Sequence, residues 1–159
     1  MKPRPGQWNS ATAPSAAGPE AGGLGLPVSK LRGLTLPVRA ALKRRGIVTC
    51  GRLLRATGGA RDRARLTAEA GIDPDALLAL VRQADLARVG GIGTVFGLML
   101  EDLGVRDVPA LAARDPAELH ARLRRYNGEE RLARRSPTPE EVEGWVAQAR
   151  SLPALIGDR

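Results

Sequence analysis

The ten residues Arg88-Val89-Gly90-Gly91-Ile92-Gly93-Thr94-Val95-Phe96-Gly97 have the types and spacing to hold an anion. The glycines permit positive φ and close approach of backbone to backbone, so a tight hairpin fits here. Ile92 points inward as its pin. Beyond the turn the freed amides of Gly93, Thr94 and Val95 open a helix, and amide donors aligned with a helix dipole favour negative charge. Gly97, four residues after Gly93, leaves room for close helix contact. Arg88 is the basic neighbour in sequence.

Arginines offer a second route to anions. The chain carries 25 Lys+Arg against 17 Asp+Glu, a net charge of +8 and a pI near 11.1, a field that draws a protein towards polyanions. The charge is uneven: residues 30–86 hold twelve basic and five acidic residues, residues 87–159 eleven of each. Arg39 and Lys43 lie one helical turn apart on one face, with Arg32 before them. Arg44 and Arg45 sit where a helix C-terminus welcomes positive charge. A second cluster, Arg122, Arg124, Arg125, Arg131, Arg134 and Arg135, is broken by Glu129 and Glu130. A solvated charged face is the structural alternative for both clusters.

Other chemistries find little here. One histidine, His120, and one cysteine, Cys50, cannot build a His/Cys zinc cage. There is no Gly-x-Ser-x-Gly elbow, no His/Cys/Asp cluster and no nucleotide-binding glycine loop. Carboxylate pairs such as Glu101-Asp102 and Glu140-Glu141 fall at helix ends. The expectation is a protein without catalytic residues, metal or cofactor. Aromatics make up 3% of the chain, so single-strand stacking platforms are absent and any nucleic-acid contact runs through phosphates. Lone cysteine, no long apolar run and no secretory pattern fit a cytoplasmic location away from membranes.

The elements that must position these groups are helical. Residues 1–29, rich in Pro, Gly, Ala and Ser, lack any apolar period and read as a disordered tail with Trp8 its one large apolar residue. Helices are expected over 36–45 ending at Gly46, from Thr49 to Gly58-Gly59, and over 60–70 ending at Gly71. Asp73-Pro74 opens a long one to about residue 88, and another spans 94–103 before Gly104. Asp115-Pro116 and Thr138-Pro139 open two more by cap and first-turn proline, the last stopped by Pro153. No period-two strand pattern appears, so the fold class is all-α.

Self-comparison shows a repeat. With an offset of 58, Gly33 falls on Gly91, Leu34 on Ile92, Leu42 on Leu100, Gly46 on Gly104, Ile47 on Val105 and Leu53 on Leu111. With an offset of 65, Leu77, Val81, Gln83 and Ala84 fall on Val142, Val146, Gln148 and Ala149. The seven extra residues of the second copy are expected between residues 120 and 137. The organisation is therefore a tail (1–29), a first unit (30–88) with Thr35 in place of the second hairpin glycine, and a second unit (89–159) that keeps both. The two are expected to pack as one pseudo-symmetric domain.

The apolar-x-Gly-apolar-Gly pattern at residues 89–93, with Gly97 behind it, resembles the helix-hairpin-helix motif. Residues 30–153 as a whole resemble an uncharacterised bacterial family of two tandem helix-hairpin-helix units, a domain of unknown function. The segments that carry this are residues 84–93, 104–112 and 127–135 leading into 145–149. The motif implies sequence-independent grip on a DNA phosphate, although Thr94, Val95 and Phe96 stand where DNA-gripping hairpins often carry Lys or Arg. The family implies no activity. The expected function is a non-enzymatic duplex-DNA-binding module with Arg88, Gly91, Gly93, Thr94, Arg32, Arg39 and Lys43 as phosphate ligands. The alternatives are a helical scaffold for a protein partner, with hairpins as structural joints, and self-assembly through exposed apolar edges.

Overall fold

The computed structural model describes residues 23–157, and Trp8 lies outside them. Among the described residues the chain is all-helical: α1 (Leu36–Arg44), α2 (Cys50–Thr57), α3 (Ala60–Ala70), α4 (Pro74–Leu86), α5 (Gly93–Asp102), α6 (Val108–Ala112), α7 (Pro116–Glu130) and α8 (Pro139–Ser151), preceded by a 3-10 turn at Val28–Lys30. Local chemistry sets the starts. Thr35, Thr49, Asp73, Asp107, Asp115 and Thr138 each accept a hydrogen bond from the backbone amide three residues on, satisfying a donor the helix leaves unpaired. Helix α6 has no precedent in the sequence reading. Its five residues, with proline second, are too short to show an apolar period.

Two apolar clusters fill the molecule. Leu42, Cys50, Leu53, Leu77, Leu80 and Val81 form one, with Cys50 a small packing residue. Met99, Leu100, Leu111, Leu123, Val142, Trp145 and Val146 form the other. Each fully buried aliphatic side chain among them contributes about 1.5–3 kcal/mol. In the first half α1 packs on α3, α2 on both α3 and α4, and α3 on α4; in the second α5 packs on α7, α6 on α8 and α7 on α8. Contact between α4 and α5 joins the halves. The main difference between the halves lies near α7, which has 15 residues where α3 has 11. The connection after it, residues 131–138, replaces the short turn at residues 71–73.

The chain ends depart from the expected boundaries. Residues 23–29, expected within the tail, are hydrogen-bonded into the domain: Gly51 N donates to Leu24 O (2.8 Å), Cys50 N to Leu26 O (2.9 Å) and Val28 N to Val48 O (3.0 Å). Leu24, Leu26 and Val28 supply the apolar anchors that a reading of Pro/Gly content overlooks. Gly23 N donates to Ala87 O at 2.7 Å, so closely that a Cβ on Gly23 would sit 2.5 Å from that oxygen. At the other end the chain returns to the first half. Gly157 N donates to Gly58 O (2.8 Å), Arg63 Nη2 donates to Gly157 O (2.6 Å), and Ile156 packs against the first cluster.

Candidate nucleic-acid interface

The hairpin of the second half is built as its glycines require. Gly91 has φ +92 and Gly93 φ +67, conformations that side chains with a Cβ adopt at a cost. At Gly91 space is limiting as well, because a Cβ would lie 3.3 Å from Trp145 Nε1. Ile92 is buried beneath the turn, with Gly97 against its side chain. A side chain from the last helix holds the turn from behind: Gln148 Oε1 accepts from Gly90 N (2.9 Å) and its Nε2 donates to Gly90 O (3.2 Å).

Helix α5 starts from this hairpin with no side-chain cap and no acidic residue in its first turn. The first-turn amides at Gly93 and Thr94 therefore keep their donor capacity for an external acceptor. A small cleft beside the tip is lined by Gly93, Thr94, Leu98, Glu101, Lys30 and Arg106 among others. Lys30 and Arg106 are exposed and neither has an ionic or hydrogen-bonding partner among the described residues.

The first hairpin has the same clamp and a different tip. Gln83 Oε1 accepts from Arg32 N (2.8 Å) and Gln83 Nε2 donates to Arg32 O (2.8 Å). Gly33 has φ +87. The tip, however, is closed: the Thr35 hydroxyl accepts from Val38 N in a long contact of 3.4 Å.

The expected phosphate ligands separate into three groups. Gly91, Gly93 and Thr94 share the second hairpin. Arg39 and Lys43 are exposed on α1, unpaired among the described residues, and line a different depression with Pro27, Val28, Ile47 and Val48. Arg88 is a correction, and Arg32 is exposed but already paired. Arg88 is buried: its Nη1 donates to Asp85 Oδ1 (2.7 Å) and its Nη2 to Pro153 O (2.6 Å). Asp85 Oδ2 in turn accepts from Val108 N at 2.9 Å. A guanidinium so enclosed cannot swing out without stranding a buried carboxylate. The Arg32 side chain reaches α5, where Nη2 meets Asp102 Oδ1 (2.8 Å) and Glu101 Oε1 (3.1 Å). Hydrogen bonds from Arg32 and from the Tyr126 hydroxyl hold the Asp102 carboxyl below its ordinary range. The same contact with Asp102 pushes the Tyr126 phenol up to about 12.

Much of the remaining basic charge is internal work. Arg45 donates to Ala41 O and Glu69 O, Arg52 to Gly46 O, Arg63 to Thr57 O and Gly58 O, and Arg150 to Ala112 O and Arg114 O. These are carbonyls at or beyond helix C-termini, which need donors. Lys30, Arg106 and the two clamping glutamines were not singled out as site residues. The glutamines fall in step in the repeat, which was their one signal. The cations reach the hairpin through the tertiary fold alone.

Residues 32–152 match a family described as a domain of unknown function (DUF4332). The chain belongs to that family. No curated protein and no solved structure matches it. Among the described residues of this DUF4332 chain, no group of three or more His, Cys, Asp or Glu is placed to hold a metal ion. None of its helices there is long and apolar enough to cross a membrane.

Proposed function

We propose that this DUF4332 chain is a non-enzymatic, sequence-independent DNA-binding module of two tandem helix-hairpin-helix units, working in a bacterial cytoplasm. The observation that carries the reading is the uncapped N-terminus of α5 on the Gly91–Gly93 turn, clamped from behind by Gln148. Backbone amides held in that geometry meet a phosphate oxygen without reading a base. Lys30 and Arg106 flank the tip, and Arg39 and Lys43 give the first unit a second phosphate contact. Arg88, buried against Asp85, takes no part, and Arg32 is already engaged at the surface by Asp102 and Glu101.

The test is anisotropy of labelled duplex and single-stranded DNA with the full chain, from low to physiological salt. Duplex should bind with a Kd of about 10⁻⁴ to 10⁻⁶ M at physiological salt. If the four cations each meet a phosphate, log Kobs should fall against log salt with a slope of about −3.6. Gly93→Asp should weaken binding severalfold while Gly93→Asn, which tolerates positive φ without adding charge, should weaken it less. Equal affinities of the two variants with intact folds would remove the hairpin from the mechanism. No binding even at low salt would leave both hairpins as structural joints of a protein-binding scaffold.

A further inference from the structure

The connection between α7 and α8 is longer than the corresponding turn in the first half, and it is held in one shape. Arg131 ends α7 at φ +52, a left-handed conformation that costs a residue with a Cβ about 1–2 kcal/mol. The buried Asn127 secures the start of the connection: its backbone oxygen accepts from Arg131 N (2.8 Å) and its Oδ1 from Ala133 N (2.9 Å). Further along, Arg135 makes two bonds to Glu141, at 2.6 and 3.0 Å, and lies over the Phe96 ring at 5.5 Å. Glu141 also completes the capping box that starts α8. Arg131 thus closes α7 as a left-handed C-cap, and the bonds that follow it fix the shape of the connection.

What this rigid segment displays is apolar. Leu132 is 47% exposed, and α5 turns out Val95, 42% exposed. An open groove of about 480 Å³ is lined by both, with Gly91, Ile92, Phe96, Ala133, Arg134 and Arg135 completing it. No carboxylate lines it. Arg134 and Arg131 are exposed and have no ionic partner among the described residues.

We propose that this groove docks a segment of a partner protein that carries apolar side chains beside carboxylates. The apolar lining needs an apolar occupant, which a sugar-phosphate backbone does not offer, and the arginine rim selects acidic flanks. A second copy fits poorly. Of the other exposed apolar residues described, Val48 shares a depression with the unpaired Arg39 and Lys43, Leu36 precedes Arg39 by about one turn of α1, and Leu155 lies in the terminal segment held to the first half. Docking the Leu36–Val48 face into the groove would therefore set like charges against each other. The inference does not rest on DNA binding: the groove lies on the α7–α8 side of the hairpin and shares only Ile92 with the cleft that holds Lys30, Arg106, Gly93 and Thr94.

The experiment uses the full chain and a panel of labelled dodecapeptides, each with two leucines one helical turn apart and three glutamates, paired with the same peptides carrying lysine for glutamate. Glutamate peptides should bind at least about tenfold tighter than their lysine counterparts, a difference of about 1.4 kcal/mol. Leu132→Asp and Arg134→Ser, both at exposed positions, should each remove most of the binding with the circular dichroism melt unchanged, while Gly93→Asp should leave peptide binding intact. Failure of every glutamate peptide to bind at millimolar concentration overturns the proposal. So does binding indifferent to both groove variants. Self-association abolished by Leu132→Asp would assign the groove to a second copy, and duplex affinity lost in that variant would assign it to nucleic acid; either result overturns it.

Discussion

The two hairpins share a frame and differ at the tip. In each, a glutamine from the fourth helix of its half makes two bonds to one backbone unit, Gln83 to Arg32 and Gln148 to Gly90. A positive-φ glycine comes directly after it, Gly33 or Gly91. One hairpin then ends on Thr35, whose hydroxyl turns back onto its own helix. The other ends on Gly93 and leaves its helix uncapped. The clamp is the common scaffold, and the tips differ at two residues: Thr35 occupies the Val38 amide and Pro37 has no amide to give, whereas α5 starts without a cap or a proline. Arg32 extends the contrast, since its guanidinium joins the first hairpin to carboxylates on α5.

That comparison can be broken at several points, the hardest first. Arg88→Ala should strand the buried Asp85 carboxylate and cost about 3–5 kcal/mol in urea denaturation. A variant that keeps full stability but loses DNA affinity would return Arg88 to the interface. Gln148→Ala removes two bonds behind the second hairpin and Gln83→Ala two behind the first. Each should cost about 1–3 kcal/mol, but DNA affinity should suffer beyond the stability loss only in Gln148→Ala. If the two variants bind DNA equally well, the tips are not functionally distinct.

A gentler change sharpens the contrast from the other side. Thr35→Gly should cost only a few tenths of a kcal/mol in stability and, by uncapping α1, raise duplex affinity severalfold in the same anisotropy assay. Replacing Arg39 and Lys43 together by serine should reduce the salt slope by about 1.8. The smallest effect is in acid. Glu141 is held down to about 2, first by its bonds to Arg135 and then by the Thr138 amide. A carboxylate with a depressed pKa stabilises the fold fully above its ordinary value of 4.5 and loses that contribution as pH falls through the folded value. The melting-temperature gap between wild type and Glu141→Gln should therefore be constant above about pH 5 and close as pH approaches 2. A gap that persists at pH 2 would mean the pair is not what the glutamine removes.

How much of the fold and the site was legible in the sequence depends on the range of each interaction. The caps at Asp73, Asp115 and Thr138 and the positive-φ glycines at 46, 71, 91 and 104 were readable because the chemistry spans a few neighbours. The all-α class and the glutamines in step came with them. Arg88 misled because its partner Asp85 is local but its burial is not: Pro153 and Val108 close the site from far along the chain. Arg32 is exposed, but the carboxylates that engage it lie some seventy residues away, beyond any local pattern. Lys30 and Arg106 come from the turn before α1 and the loop after α5, and only the tertiary fold brings them to one cleft beside the hairpin.

The return of residues 155–157 to the first half bears on how the chain is made. Gly157 bonds to Gly58 and Ile156 covers the first cluster, so the ribosome must add about a hundred more residues before Gly58 meets its partner, a delay of about 5–20 s at about 5–20 residues per second. During that interval the first half is synthesised but unfinished, with part of its apolar cluster open to water. A nascent chain stalled just short of Leu155 should accordingly be more sensitive to protease in its first half than the released protein. Vectorial synthesis thus delivers the two halves in order but completes them together.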